Sequence, residues 1–279
     1  MAPKKEKLKE FAEQLRDLTN EMVKEEAAQF SVRGALKVRK TITEAYEQLK
    51  TLMDNLDPYK DPGFVFDPSN PNIAGRVAGI ALIVRPRKPL INVESFYGSG
   101  IYGIYYTGDF PPYKAISKKE HPIYVGKADP KSLQCNTAVE QGSQLTKRLK
   151  DHRRTIGKAK ETLRLEDFEY RALVVQTGWQ EAAESYLISL FKPIWNIEVG
   201  ICYGFGKHGD SPETRANLRS PWDTLHQGRD WAHRDPNMKD ARPKAQIVKD
   251  IERHFSEYPP LGSVDKILRR FLEEMRGAV

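Results

Sequence analysis

Residues 99–107 read SGIYGIYYT and residues 122–128 read PIYVGKA. Both runs are dense in aromatic and β-branched side chains, bounded by glycine and proline, so both predict strands. Between them lies a loop marked by Gly108, Pro111 and Pro112. After them, residues 143–158 predict a helix with Leu145, Leu149 and Ile156 buried. Residues 168–176 (FEYRALVVQ) predict a third strand, and a helix running to about Phe191 follows. Thr177, three residues before Gln180, is a candidate cap for that helix. The order β-β-α-β-α predicts a small α/β (α+β) domain with a mostly antiparallel three-stranded sheet flanked by helices.

Outward from this segment the pattern changes. Leu8, Phe11, Leu15, Leu18 and Met22 repeat in alternating steps of three and four, as do Ile42, Ala45, Leu49, Leu52 and Leu56. Residues 4–56 therefore predict helices, either packed on the body or serving as an arm that grips a partner subunit or DNA. Thr41 and Glu44 fit a capping box, or lie inside a longer helix. Pro58, Pro62, Pro68 and Pro71 mark an extended connector. Ile73, Val77, Ile80, Ala81 and Val84 suit one face of a short helix, and residues 85–90 (RPRKPL) read as a basic loop. Residues 200–240 are polar and aperiodic, while 243–257 and 263–276 predict helices. The expected divisions are an arm (1–56), a connector (57–98), a core (99–199) and a C-terminal tail (200–279).

Composition narrows the function. A net charge of +7 over 279 residues suits a polyanionic partner. The two cysteines, Cys135 and Cys202, lack the spacing of a zinc ribbon or a disulfide framework. No apolar run approaches the ~20 residues of a membrane span, and MAPKKEKLKE has no apolar signal segment, so a soluble intracellular protein is expected.

Arg148 and His152 are four apart and project beside the buried face of their helix; Lys147, Arg154 and Lys158 point elsewhere. Glu184 projects beside Leu187 and Phe191, where a carboxylate can act as a hard oxygen ligand. Taken alone, each placement also fits an ordinary amphipathic helix.

Gly100-Ile101-Tyr102 followed by Tyr124-Val125-Gly126 resembles the paired strand motifs of the GIY-YIG nucleases. Arg148, His152, Glu184 and Asn196 follow in that family's order, across roughly residues 99–197. A second triplet, Gly103-Ile104-Tyr105, leaves Tyr105 open as an alternative to Tyr102. The resemblance implies DNA phosphodiester hydrolysis with one divalent ion, Mg²⁺ or Mn²⁺, held by Glu184. It implies Arg148 on the phosphoryl oxygens, Tyr102 as base or water-orienting group, Tyr124 positioning it, and Asn196 ordering the site. A tyrosine base needs help, since its reference pKa is about 10; Lys127, the metal and His152 are the candidates.

The tail beyond residue 200 resembles that of GIY-YIG restriction enzymes recognising CCGCGG. Lys207, His208, Arg215, Asn217, Arg219 and Arg229 are its candidate DNA contacts, with Trp222 and Trp231 as candidate core anchors. The implied protein is a prokaryotic, cytoplasmic type II restriction endonuclease, acting as a homodimer on a palindrome beside a companion methyltransferase. It would leave 5′-phosphate and 3′-hydroxyl ends. The alternatives are a homing or structure-specific repair nuclease, or a non-catalytic DNA-binding protein on the same scaffold.

Overall fold

A computed structural model describes residues 3–25, 31–59, 63, 65–199, 218–229, 232 and 237–276. The chain divides into two compact units, Met1–Val65 and Phe66–Val279. The first holds α1 (Pro3–Lys24) and α2 (Val32–Leu56). Ser31 caps α2 by accepting from the Gly34 amide, and Thr41 lies inside the helix with its hydroxyl donating to the Lys37 carbonyl. The seam residues Leu8, Phe11, Leu15, Leu18 and Met22 keep 37–54% of their surface exposed. No α2 residue is buried.

The second unit is built on an antiparallel sheet of four strands rather than three. In chain order these are β1 (Lys88–Pro89), β2 (Gly100–Tyr106), β3 (Tyr124–Ala128) and β4 (Phe168–Val174), lying in the spatial order β1-β4-β2-β3. The segment expected as a basic loop supplies β1, which pairs with Tyr170 and Glu169 for two residues only. Pro89 has no amide to donate, so it suits this short edge. Every residue of β2 is buried, as befits a central strand with both faces covered.

Strand alternation sends β2 side chains to two cores. Tyr102, Ile104 and Tyr106 join Leu145, Leu149 and Ile156 of α5 (Gln144–Ile156), behind the short α4 (Ala138–Gln141). Ile101 and Val125 instead meet Leu82 and Ile83 of α3 (Pro71–Ile83), with Ala183, Leu187 and Phe191 of α6 (Gln180–Phe191). The face of α3 differs from the expected one. Gly75, Gly79, Leu82 and Ile83 are buried, whereas Val77 and Val84 are exposed, because α3 lies against α6 through its smallest residues. Thr177 does not cap α6: its hydroxyl donates to the Cys135 carbonyl, and Gln180 accepts from the Gly178 amide.

Beyond α6 come α7 (Ile194–Ile197), α8 (Pro221–Leu225), α9 (Lys244–Glu257) and α10 (Val264–Arg276). Trp222, Leu225, Ile247 and Ile251 enter the same core as Tyr102, so part of the expected tail is packed structure. Trp195 Nε1 donates to Tyr113 Oη at 2.9 Å, and His226 Nε2 lies 2.6 Å from that oxygen. Thr162 Oγ1 reaches His226 Nδ1 at 2.8 Å, which satisfies both ring nitrogens. Buried polar groups require such partners, and this chain of bonds ties the end of α8 to α7 and to the loops carrying Tyr113 and Thr162. Among the described residues no helix is long and apolar enough to cross a membrane.

Candidate active site

The two strands meet at Tyr102 and Gly126, which are register partners. A Cβ built on Gly126 would stand 2.6 Å from the Tyr102 hydroxyl and 2.9 Å from the Tyr124 ring. Only glycine leaves the phenol room to lie across the neighbouring strand. The other motif glycine, Gly100, has φ +154°, and a Cβ there would stand 2.0 Å from the Leu173 carbonyl oxygen.

Tyr102 lies 6.0 Å from Tyr124 and 5.3 Å from His152 between ring centroids, and Tyr124 lies 4.9 Å from His152. Tyr102 Oη and His152 Nε2 are 2.7 Å apart, the donor being set by the imidazole tautomer. Burial pushes the Tyr102 phenol well above 10, reinforced by Tyr124 and opposed by Arg148. Burial holds the His152 imidazole well below the usual histidine range, with Arg148 adding to the effect. Both rings are therefore neutral. Tyr105, the alternative tyrosine, projects to the other face, where Arg87 and Arg171 lie over its ring.

Arg148 and His152 share α5 but differ in setting: His152 is buried, while Arg148 is exposed at the rim. Glu184 approaches from α6 on the outer side of β3. Its carboxyl is raised to about 7, mainly by burial, with Lys127 opposing the shift. The Lys127 backbone amide bonds to this carboxylate. The Lys127 side chain turns to Glu181 at 2.5 Å and Asp129 at 3.3 Å. Burial lowers the lysine pKa, but bonds to these two acids outweigh it and leave it raised. Lys127 pairs with Ile101, not Tyr102, so its side chain lies on the face opposite the phenol. Glu181 and Asp129 were missed as parts of this cluster; the signal was Glu181 lying three residues before Glu184 on one helix.

Asn196 closes the same edge. Its Oδ1 accepts from the Val125 amide at 2.9 Å and its Nδ2 donates to the Val125 carbonyl at 2.8 Å. The Trp195 amide donates to the Ile123 carbonyl at 3.0 Å. These groups complete the unpaired edge of β3 as a further strand would, fixing Tyr124 and Gly126 on either side of Val125.

A GIY-YIG fold implies a divalent ion, and Glu184 fits one. It is a hard oxygen donor largely removed from water, so a cation would relieve its burial. Mg²⁺ is commonly held by one or two carboxylates, with substrate phosphates and waters completing its shell. Among the described residues no group of three or more His, Cys, Asp or Glu could hold a metal ion.

Of the candidate DNA contacts, Lys207, His208, Arg215 and Asn217 lie outside the described residues, as does Trp231. Arg219 pairs with Asp240 at 3.1 Å and donates through Nε to the Ala232 carbonyl. Arg229 is buried, bonded to both oxygens of Asp223 at 2.6 Å, with its guanidinium over the Trp222 ring. That is the setting of a structural arginine, unlike the groove contact expected from sequence.

With the two strands, the Tyr–Tyr–His cluster and the Glu184 edge established, the comparison with known families is direct. The family model of the Eco29kI GIY-YIG domain matches residues 94–255. The chain belongs to this restriction endonuclease family. Its GIY-YIG nuclease domain covers the whole sheet except β1, together with both helices that carry the polar cluster. No curated protein matches the chain significantly.

Proposed function

We propose that this protein is a type II restriction endonuclease that hydrolyses both strands of a short palindrome with Mg²⁺ or Mn²⁺, leaving 5′-phosphate and 3′-hydroxyl ends. The observation that carries the reading is the Tyr102–His152 hydrogen bond, enclosed by Tyr124 and flanked by Arg148 and Glu184.

Burial disfavours a free phenolate, so Tyr102 acts through its partner. The attacking water gives its proton to Tyr102 Oη while the phenol's own proton passes to His152 Nε2, with Nδ1 carrying the imidazole proton. Tyr102 thus stays neutral, and the new positive charge on His152 is met by the incoming phosphate. Arg148, at the rim, directs its always-charged guanidinium to the phosphoryl oxygens. Glu184 would hold the divalent ion, which would supply Lewis-acid charge to the phosphate and the leaving 3′ oxygen. Lys127, fixed by Glu181 and Asp129, sets the Glu184 carboxylate through its backbone amide. Asn196 keeps the edge strand in register.

Residues 99–199 would carry the chemistry, and 200–279 would add target contacts through Lys207, His208, Arg215 and Asn217. CCGCGG is the proposed target, read by a homodimer that places one such site on each strand. A companion methyltransferase would protect the host DNA in a prokaryotic cytoplasm.

The test is plasmid digestion by the purified protein in Mg²⁺ and in EDTA, followed by end sequencing. Discrete Mg²⁺-dependent fragments ending at one palindrome support the reading. Nicking confined to junctions indicates a repair nuclease, and binding without cleavage indicates a non-catalytic scaffold.

A further inference from the structure

Both helices of the Met1–Val65 unit leave their apolar seams open. Residues 6–24 of α1 are exposed throughout, and no α2 residue is buried. On α2, Val38, Ile42, Ala45, Leu49, Leu52 and Leu56 follow one another in alternating steps of four and three, the spacing at which one helix meets another along its length. Twelve large apolar side chains of α1 and α2 keep 37–69% of their surface exposed. Covering them would remove about 500 Å² of apolar surface from each copy. Homodimer interfaces are about 65% apolar, so these seams suit an interface of about 800 Å² a partner, the size of a stable dimer.

The charges of α2 run against its own dipole. Residues 32–43 carry Arg33, Lys37, Arg39 and Lys40 and no acid, whereas residues 44–56 carry Glu44, Glu47 and Asp54 against Lys50. The first turn has no acid and the last turn no base, the reverse of what a lone helix favours. Lys40 meets Glu44 within the helix at 3.8 Å, where both are exposed. A second α2 lying antiparallel sets each basic half beside an acidic one, while a parallel one sets like beside like.

We propose that the Met1–Val65 unit is the surface on which two copies of this chain join, with α2 lying antiparallel on α2 of the second copy. The inference rests on the homodimer reading above and assigns its interface to residues outside the matched nuclease domain, 94–255. A two-fold axis crossing α2 between Ala45 and Leu49 sets Val38 against the partner's Leu56, Ile42 against the partner's Leu52, and Ala45 against the partner's Leu49. Small Ala45 thus meets a large side chain, and the α1 seam supplies the rest of the apolar area.

Self-association of the full chain without DNA is read by sedimentation velocity over a concentration series, with circular dichroism to follow helix content. Wild type should be a dimer, and I42E/L52E, which sets acids in the seam, should associate at least about 100-fold more weakly. K37E/R39E/K40E and E44K/E47K/D54K should each associate more weakly than wild type at low salt. Their equimolar mixture should regain a dimer holding one copy of each. A monomeric wild type overturns the proposal, whether the seams fold back on their own chain or take DNA instead. A dimer that survives I42E/L52E overturns it too, while the homodimer reading stands. A mixture that associates no more tightly than either variant alone overturns the antiparallel pairing. A dimer that responds as expected but cuts no DNA supports this interface while overturning the proposed function.

Discussion

The Tyr102 hydroxyl occupies the space that a side chain on Gly126 would fill, 2.6 Å from where its Cβ would lie. Gly126→Ala should therefore displace the phenol from His152 before it unfolds the sheet. Overpacking of this size costs about 1–3 kcal/mol, which denaturant titration can read. Cleavage should fall at least about tenfold in the folded variant, since misplacement of about 1 Å near the chemistry can cost far more. Wild-type cleavage in Gly126→Ala would remove Tyr102 from the mechanism.

Tyr102 and His152 act as one unit in this account. Tyr102→Phe and His152→Ala should each lower single-turnover cleavage by about 10²–10⁴-fold, the usual range for a proton-transfer group. The double variant should be no slower than the worse single one, because each loss already breaks the relay. Multiplicative losses would show that the two residues act separately.

Asn196→Leu removes both bonds to Val125 and leaves the edge of β3 open. At about 0.5–1.5 kcal/mol for each bond, stability should fall by about 1–3 kcal/mol. Faster amide exchange at Val125 should accompany a lower cleavage rate. Unchanged exchange at Val125 would mean that the edge is held by other groups.

His226 and His121 are held at about 3, mainly by burial, well below their value in an unfolded chain. In each case the unfolded state takes up the proton first as pH falls through about 6.5. Stability from the neutral rings is thus full above that pH and declines toward pH 3, by up to ~1.4 kcal/mol per unit for each ring. Denaturant midpoints should drop between pH 7 and pH 5, and more shallowly in His226→Gln. Equal slopes for the two proteins would show that His226 does not titrate on unfolding.

The parts of this site that sequence revealed are those fixed by local geometry. The paired strand motifs put Tyr102 and Tyr124 among the candidates, and a spacing of four put Arg148 and His152 on one side of a helix. Choosing between Tyr102 and Tyr105 required the partner strand, since only Tyr102 faces Gly126. Lys127 shows the reverse case. It was a candidate to help the phenol, but it stands one residue past the register partner of Tyr102, and a shift of one residue along a strand reverses the face. The edge strand β1 is too short to alternate, and the bonds of Asn196 to a backbone 71 residues away leave no periodic trace. The buried face of α3 was misread because large apolar residues were expected inward, where close approach to α6 instead selected glycine.

The central claim is that Glu184 supports metal-dependent cleavage while DNA binding resides elsewhere. The direct measurement pairs plasmid cleavage in Mg²⁺ with duplex binding in EDTA, for wild type and Glu184→Ala. The account predicts that the variant binds duplex DNA within about threefold of wild type and loses metal-dependent cleavage by at least about 10²-fold. Cleavage at the wild-type rate in Glu184→Ala would place the metal, and with it the reacting phosphate, somewhere other than the β3 edge.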